Sequence, residues 1–350
     1  MNQEIYLGGR RIAADSPTFI VAEMSANHLQ DYDRAVRILH AAKEAGADAI
    51  KLQTYTADTI TLDSDAEAFQ NRSGTLWDGT TLHQLYEEAS TPWEWHPRLM
   101  EEAKKLGLIC FSSPFDFTAV DFMAELDMPA FKFASYEIND IPLIRRAAKL
   151  HKPMIFATGI ARLEDIERAF TVCKEEGNED VILLKCVSAY PTPYEDINLR
   201  VIPTLQQTFG CLTGLSDHSM GTTVAVGAVA LGAKMVEKHL TLRRSDGGPD
   251  GAFSMEPAEF KEMVDNIRIL EKALGSSSYR LMDVQKLERK DSRSLFVVKD
   301  VAPGEVFTAE NVRSIRPGCG LHPMYYEEIL GRKAACAIRK GTPLSWNLVN

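Results

Sequence analysis

The chain predicts an α/β fold, a (β/α)8 TIM barrel followed by a small second domain. Three features of its 350 residues lead there. Eight short apolar runs in the first 240 residues each carry polar or charged residues toward their C-terminal end. A segment of helical period follows each run. No GxGxxG turn occurs, and eight strand–helix repeats exceed the roughly six strands of an open dinucleotide-binding sheet. Barrel enzymes place their chemistry at the C-terminal strand ends, so polar strand ends suit a catalytic barrel.

The strand-like runs come in order. Phe19–Met24 carries Glu23, and Ala49–Thr54 carries Lys51 and Gln53. Ile109–Ser113 ends in Ser112 and Ser113, Phe131–Ser135 carries Lys132 and Ser135, and Met154–Thr158 ends in Thr158. Val181–Ser188 ends in Lys185 and Ser188, Cys211–His218 in Ser-Asp-His, and Met235–His239 in Glu-Lys-His. Between them, Tyr32–Ala45 sets Ala35, Ile38, Leu39 and Ala42 on one helical face and closes with Gly46. Helical segments are expected at 96–106, 117–126, 141–150, 163–176, 199–208, 222–231 and 257–274. One connection breaks the rhythm: from Tyr55 to about Trp95 the chain runs on after the second strand. Loops this long are usually functional or disordered, and Trp77, Trp93 and Trp95 argue against disorder. The segment is expected to form a wall or lid at the barrel mouth.

A turn-like GSSS and a charged, non-periodic KLERKDSR place a linker at 276–293. The barrel domain is then 1–275 and the small domain 294–350, with a strand at Ser294–Val298 and turns at VAPGE and KGTP.

A net charge of −10 and a pI near 5.4 argue against nucleic acid or anionic membrane as partner. No stretch is long and apolar enough to span a bilayer. The N-terminal MNQEIYLGGRR lacks the apolar core of a signal peptide, so a cytoplasmic location is expected. The six cysteines form no CxxC pair. Cys110, Cys186 and Cys211 sit in apolar runs as small hydrophobes, and disulfides are not expected in a reducing compartment.

His218 and His239 end the seventh and eighth runs. Neighbouring strands lie about 4.8 Å apart, so both imidazoles can reach one point above the barrel. A lone barrel histidine is more often a strand cap. Two on adjacent strand ends, with Glu23 on the next strand round the closed barrel, favour a transition metal or zinc with open positions. Lys51 and Lys132 occupy strand interiors, where an unpaired lysine is costly. Facing one mouth, they suit a substrate carrying a carboxylate and a phosphate; facing outward, they would pack between helices. A Schiff base on either lysine is the alternative chemistry. Ser112, Ser113, Ser135, Thr158, Ser188 and Ser216 can supply hydroxyl donors. SDHSMGT (216–222) opens a helix whose N–H groups could hold an anion, with Ser219 as its N-cap. The glycine-rich RRSDGGPDGAFS (243–254) offers Asp246 and Asp250 to a sugar or metal, or is simply a turn.

Read in order, VAEMSANH (21–28), DAIKLQTY (48–55), FSSPFD (111–116), FKFASYEIND (131–140), ATGIA (157–161), YPTPYEDINL (190–199), GLSDHSMG (214–221), VEKHLTL (236–242) and GGPDGAFSMEP (247–257) resemble the sialic acid synthase family. The resemblance spans nearly the whole chain. VAPGEVFTAENVRSIRPGCGL (301–321) is similar to the antifreeze-like SAF (β-clip) domain that follows the barrel in that family. The implied activity is a phosphoenolpyruvate-dependent, C–C bond-forming transferase acting on an N-acylated amino sugar. TLWDGTTLHQLYEEASTPWEW (75–95) and GGPDGAFS point within the family to 2,4-diacetamido-2,4,6-trideoxy-L-altrose as the sugar. N-acetylmannosamine or a legionaminate-type precursor is the sibling alternative.

The resemblance implies metal ligation by His218 and His239, with Mn2+ expected and Mg2+ or Co2+ as alternatives. It implies a catalytic acid at Glu23, which activates water or orients the aldehyde. Phosphoenolpyruvate binding falls on Lys51, Ser113, Lys132, Ser135, Ser188 and Ser216, and sugar binding on Glu137, Asp250 and Tyr190. It also implies a homodimer with exchanged SAF domains, each delivering Arg316 to the other barrel. Two departures stand out: Ala157 where a serine often precedes Thr-Gly, and Ser113 where threonine is common. A Schiff-base aldolase or a carbohydrate-binding protein are the competing classes; the latter leaves eight polar strand ends without a purpose.

Overall fold

In the computed structural model, which describes residues 1–72, 74 and 77–350, eight parallel strands close into a barrel. A hairpin comes first, β1 (Glu4–Leu7) and β2 (Arg10–Ala13). The barrel strands are β3 (Phe19–Glu23), β4 (Ala49–Thr54), β5 (Ile109–Pro114), β6 (Phe131–Phe133), β7 (Met154–Ala157), β8 (Val181–Lys185), β9 (Leu212–Asp217) and β10 (Met235–His239). They pair in sequence order, and β10 closes on β3.

Alternation along the strands separates two apolar environments. Ile20, Ala22, Ile50, Leu52, Leu215 and Val236 point outward and pack with Ile38, Leu39, Phe260 and Ile267 of the surrounding helices. Phe131, Phe133 and Phe156 do the same on the far side. Phe19, Val21, Ala49, Phe111, Ile155, Ile182, Leu184, Leu212 and Met235 fill the interior. Burying each large apolar side chain contributes about 1.5–3 kcal/mol. Ile5, Leu7 and Ile12 of the hairpin join the same interior cluster. The hairpin therefore plugs the N-terminal end and leaves the C-terminal end for chemistry. Its turn is Gly8-Gly9, both at positive φ, as a two-residue hairpin loop requires.

The barrel helices are Tyr32–Glu44, Trp95–Leu106, Phe117–Glu125, Ile141–Ala148, Leu163–Glu175, Val201–Phe209, Thr223–Ala230 and Pro257–Leu274. Asp31, Asp116 and Asp140 cap three of them with side-chain bonds. The long connection after β4 holds two short helices, Ala57–Ile60 and Leu82–Ala89, each begun by a threonine capping box. No helix among the described residues is long and apolar enough to cross a membrane.

Contacts divide the chain into two units, Met1–Gly275 and Ser276–Asn350. In the second, the charged stretch after Gly275 contains a short helix, Asp283–Glu288, aided by an ion pair between Asp283 and Lys286 at 2.7 Å. Strand β11 (Ser294–Val297) pairs antiparallel with β12 (Val312–Ile315). Leu295, Val297, Val301, Phe307, Val312, Ile329, Ile338 and Leu344 form this unit's own core. Arg316 is exposed in the turn just after β12.

Candidate active site

The inward residues change character near the top of the barrel. Below lie Val21, Ala49 and Met235; one inward step above them lie Glu23, Lys51 and Glu237. Register sets Glu23 between Lys51 on β4 and His239 on β10, and Glu237 beside Ser216 on β9. Lys51 Nζ lies 2.7 Å from Glu23 Oε2 and 3.4 Å from Glu237 Oε1, and Lys132 Nζ lies 3.1 Å from Glu237 Oε1. All four side chains are buried. Lys51 also donates to Ser113 Oγ at 3.1 Å, and Ser216 Oγ to Glu237 Oε1 at 3.2 Å. Both lysines thus face the barrel interior, and carboxylates hold them there.

Burial pushes the Glu23 carboxyl up to about 7, against the pull of Lys51. Burial acts on Glu237 in the same sense, but Lys132 and Lys51 outweigh it and hold that carboxyl below its ordinary range. Of the two acids, Glu23 is the one suited to hold a proton near neutrality. Glu237 received no role from sequence. The available signal was parity: Met235, Glu237 and His239 alternate onto one face.

A hydroxyl cluster adjoins Lys132. The Gly159 N–H donates to Ser135 Oγ at 2.9 Å. A Cβ on Gly159 would stand 2.6 Å from Ser135 Oγ and closer still to Ser188 Oγ, so any other residue here must displace both serine hydroxyls. Glu137 follows in the same short turn. Its Oε2 is buried without a hydrogen-bond partner among the described residues, and burial pushes its carboxyl up to about 7.

A second network starts at Gln53, whose Nε2 donates to Glu23 Oε1 at 3.2 Å and to Ser25 Oγ at 3.1 Å. The Ser25 hydroxyl donates to Asp250, which also accepts from the Ala26 N–H at 3.2 Å. Ser25 holds a left-handed φ of 47°, a strained conformation for a non-glycine residue. Burial raises the Asp250 carboxyl.

The histidines stand with ring centroids 5.2 Å apart. Tyr190 packs 4.3 Å from His218, and Phe253 4.9 Å from His239. Trp77, from the long connection, packs 5.6 Å from Tyr190 and donates to the Pro249 carbonyl at 2.9 Å. That connection therefore forms part of the wall at the barrel mouth. Its first two diagnostic residues, Thr75 and Leu76, lie outside the described residues.

Several expectations need correction. Ser112 points outward and bonds Thr54 Oγ1 at 2.7 Å, because Phe111 and Ser113 take the inward parity. The Thr158 hydroxyl is engaged by the Leu184 carbonyl at 3.1 Å. Asp246 pairs with Arg34 at 2.6 Å rather than facing the site. Ser219 is not the N-cap: the helix begins at Thr223 with Thr222 in that position.

The donor set fits a metal held partly by protein. His218 Nδ1 lies 3.1 Å from the Val187 carbonyl; an N–H there leaves Nε2 free as a ligand. His239 Nδ1 is buried without a hydrogen-bond partner among the described residues, and burial holds the ring neutral. No cluster of three or more His, Cys, Asp or Glu side chains suited to a metal occurs among the described residues, so substrate or water would complete the coordination.

Residues 38–279 match the model of the NeuB family, and residues 292–350 that of the SAF domain. The chain belongs to the NeuB family. Among its relatives, pseudaminic acid synthase of Campylobacter jejuni subsp. jejuni serotype O:23/36 (strain 81-176) is 48% identical over 94% of this chain and 96% of its own. Pseudaminic acid synthase of Helicobacter pylori (strain ATCC 700392 / 26695) is 47% identical over 94% of this chain and 97% of its own. The crystal structure of N-acetylneuraminic acid synthetase from Leptospira borgpetersenii serovar Hardjo-bovis, in complex with citrate, is similar with a TM-score of 0.73. It is 32% identical, and the likeness covers 82% of this chain and 95% of that one. The NeuB barrel, its SAF domain and the polar layer above the β-strands thus occur together in one chain.

Proposed function

We propose that the chain catalyses the pseudaminic acid synthase reaction: phosphoenolpyruvate, 2,4-diacetamido-2,4,6-trideoxy-L-altrose and water give pseudaminic acid and phosphate. The near full-length likeness to two pseudaminic acid synthases carries the choice of sugar. The buried layer of Lys51, Lys132, Glu23 and Glu237 supports the chemistry.

Lys51 and Lys132 bind the carboxylate and phosphate of phosphoenolpyruvate, exchanging part of their contact with Glu23 and Glu237 for the incoming anion. Ser113, Ser135, Ser188 and Ser216 donate to its oxygens. Glu137, Tyr190 and Asp250 orient the opened sugar, its aldehyde carbon toward C3 of phosphoenolpyruvate. The new C–C bond forms between those atoms and leaves cationic character at C2. Water adds at C2, Glu23 takes one of its protons and passes it to the former aldehyde oxygen, which becomes a hydroxyl, and the tetrahedral centre collapses to the C2 ketone, expelling phosphate by C–O cleavage with the second proton. A divalent cation, Mn2+ in this reading, would be held by His218 and His239 and would supply Lewis acidity to the carbonyl under attack.

The assembly belongs to the same reading: a cytoplasmic homodimer in which the SAF domain of each chain brings Arg316 to the other barrel. Mixing His218→Ala subunits with Arg316→Ala subunits tests it, since shared sites restore one intact centre per mixed dimer. No recovery after confirmed subunit exchange means that each chain completes its own site.

Phosphate release from phosphoenolpyruvate, measured with a panel of amino sugars with and without EDTA, tests the reaction. Release with the trideoxy-altrose sugar, blocked by EDTA and restored by Mn2+, is expected. Turnover of N-acetylmannosamine in its place assigns the chain to the sibling synthases. Borohydride trapping of a pyruvate adduct would replace the scheme with Schiff-base chemistry.

A further inference from the structure

Directly behind the two histidines is a buried ion pair that the reaction scheme does not use. Asp217 precedes His218 and Lys238 precedes His239, so parity turns both charged side chains away from the barrel interior as the histidines turn into it. Lys238 Nζ lies 2.6 Å from Asp217 Oδ2, with side-chain exposures of 1% and 2%. Lys238 also donates to the Ser219 carbonyl at 2.6 Å, and the Ser219 N–H donates to Asp217 Oδ1 at 2.9 Å. One lysine thereby grips residues on both sides of His218.

Register gives this pair its meaning. The β9–β10 ladder runs from Met235↔Gly214 to Lys238↔Asp217 and stops there. The two histidines come one residue later, where no ladder rung fixes their spacing. On its other side, His239 is held by β3 and by the Met255 N–H, which donates to the His239 carbonyl at 2.9 Å. Toward His218, the last rung is reinforced by the ion pair and its bonds to Ser219. Stability alone does not explain it. Desolvating two charges costs several kcal/mol each, and an apolar pair of similar volume is often as stable or more so.

We propose that Lys238 and Asp217 are positioning residues that fix the separation of the His218 and His239 imidazoles. The proposal rests on the metal reading above only in its consequence. Geometry fixed before the metal arrives would tighten binding by sparing the two strand ends that adjustment.

The test compares the full chain with the double variant Asp217→Leu/Lys238→Met, which removes both charges and keeps the bulk. The single variant Lys238→Met leaves Asp217 buried and unpaired and serves as the unfolding control. Expected for the double variant are a folded protein with a melting temperature lowered by the loss of the bonds to Ser219 and, without metal, displaced or broadened imidazole NMR signals for His218 and His239. The signals of His28 and His96, buried away from this pair against Thr91 and Thr54, should stay in place. Mn2+ affinity, read by electron paramagnetic resonance, should fall about 10–100-fold, the range found when partners behind metal ligands are removed. Turnover number should fall while the KM for phosphoenolpyruvate holds. A folded double variant with unchanged His218 and His239 signals overturns the proposal, whatever the metal result. A wild type that binds no Mn2+ overturns the metal reading and leaves the NMR comparison to decide the positioning role. If the double variant unfolds, Asp217→Asn/Lys238→Gln, which removes both charges and keeps polar groups beside Ser219, decides: displaced His218 and His239 signals in the folded protein support the clamp, and unchanged signals overturn it.

Discussion

The two halves of the barrel interior are equally buried and chemically opposite. The lower half holds Phe19, Phe111, Ile155, Ile182 and Leu212, closed from below by Ile5, Leu7 and Ile12. The upper half holds two lysines, two glutamates and two histidines. Solvent exposure does not distinguish them; satisfaction does. Among the described residues the lower half presents only apolar side chains to its interior, so its contribution is to stability. In the upper half Glu237 Oε2 and His239 Nδ1, and beside them Glu137 Oε2, are buried without hydrogen-bond partners among the described residues. Such orphans cost free energy, and a ligand that pairs them recovers it. The same alternation of strand residues thus builds a foundation in one layer and a prepared site in the next.

The largest expected effect is at the histidines. His218→Ala or His239→Ala should bring phosphate release to background with little change in melting temperature, because strand-end side chains carry little of the core. In the lower half the reverse holds. Leu212→Ala should lower stability by about 2–5 kcal/mol while turnover per folded molecule stays near wild type. Loss of turnover by Leu212→Ala, in protein shown to be folded, would erase the division between the layers.

Next in size is Lys132→Met, which should move both readouts. It leaves Glu237 with less compensation, and breaking a buried pair costs about 3–5 kcal/mol. It also removes a charge-assisted bond to the substrate anion, worth about 1.5–3 kcal/mol, so the KM for phosphoenolpyruvate should rise about tenfold to a hundredfold. An unchanged KM would mean that Lys132 serves Glu237 alone.

How much of this was legible follows from the same contrast. Eight apolar runs with polar ends were readable because parallel strands, buried on both faces, appear as continuous apolar stretches. That continuity also hides which side is inside. Ser112 and Ser113 look equivalent in sequence, and only the register around Phe111 separates the site serine from the one bonded to Thr54. Glu237 was hidden for the same reason, inside a run whose histidine drew attention. The Ser25–Asp250 contact joins residues 225 apart, a pairing that no local pattern encodes. The hairpin went unread: EIYL alternates but RRIA does not, so Gly8-Gly9 was its one clear signal, and its role as a plug appears only when the barrel closes above it.

Gly159→Ala sharpens the boundary between the layers on a smaller scale. The added methyl meets Ser135 Oγ and Ser188 Oγ, and those hydroxyls must move to admit it. The KM for phosphoenolpyruvate should rise by about tenfold, equivalent to about one charge-assisted bond at the low end of its range, with the sugar KM little altered. Equal rises in both would show that the serines hold the barrel end together rather than the anion.

The smallest effect is expected from pH. The Glu137 carboxyl is pushed by burial to about 7 from an ordinary 4.5. The folded protein therefore keeps a proton that the unfolded chain releases. In that case stability falls as pH rises from about 4.5 toward 7 and is level above. Glu137→Gln cannot ionise and removes this contribution. Near pH 5 the variant and wild type should melt at similar temperatures. Near pH 8 the variant should be more stable, on the order of 1–3 kcal/mol given the size of the shift, or a few degrees in melting temperature. Ile155→Val, in the lower half, has no proton to exchange and should lower the melting temperature by the same amount at both pH values. Parallel curves for Glu137→Gln and wild type would show that Glu137 is solvated despite its burial, and that the upper layer is less dry than its orphaned oxygens imply.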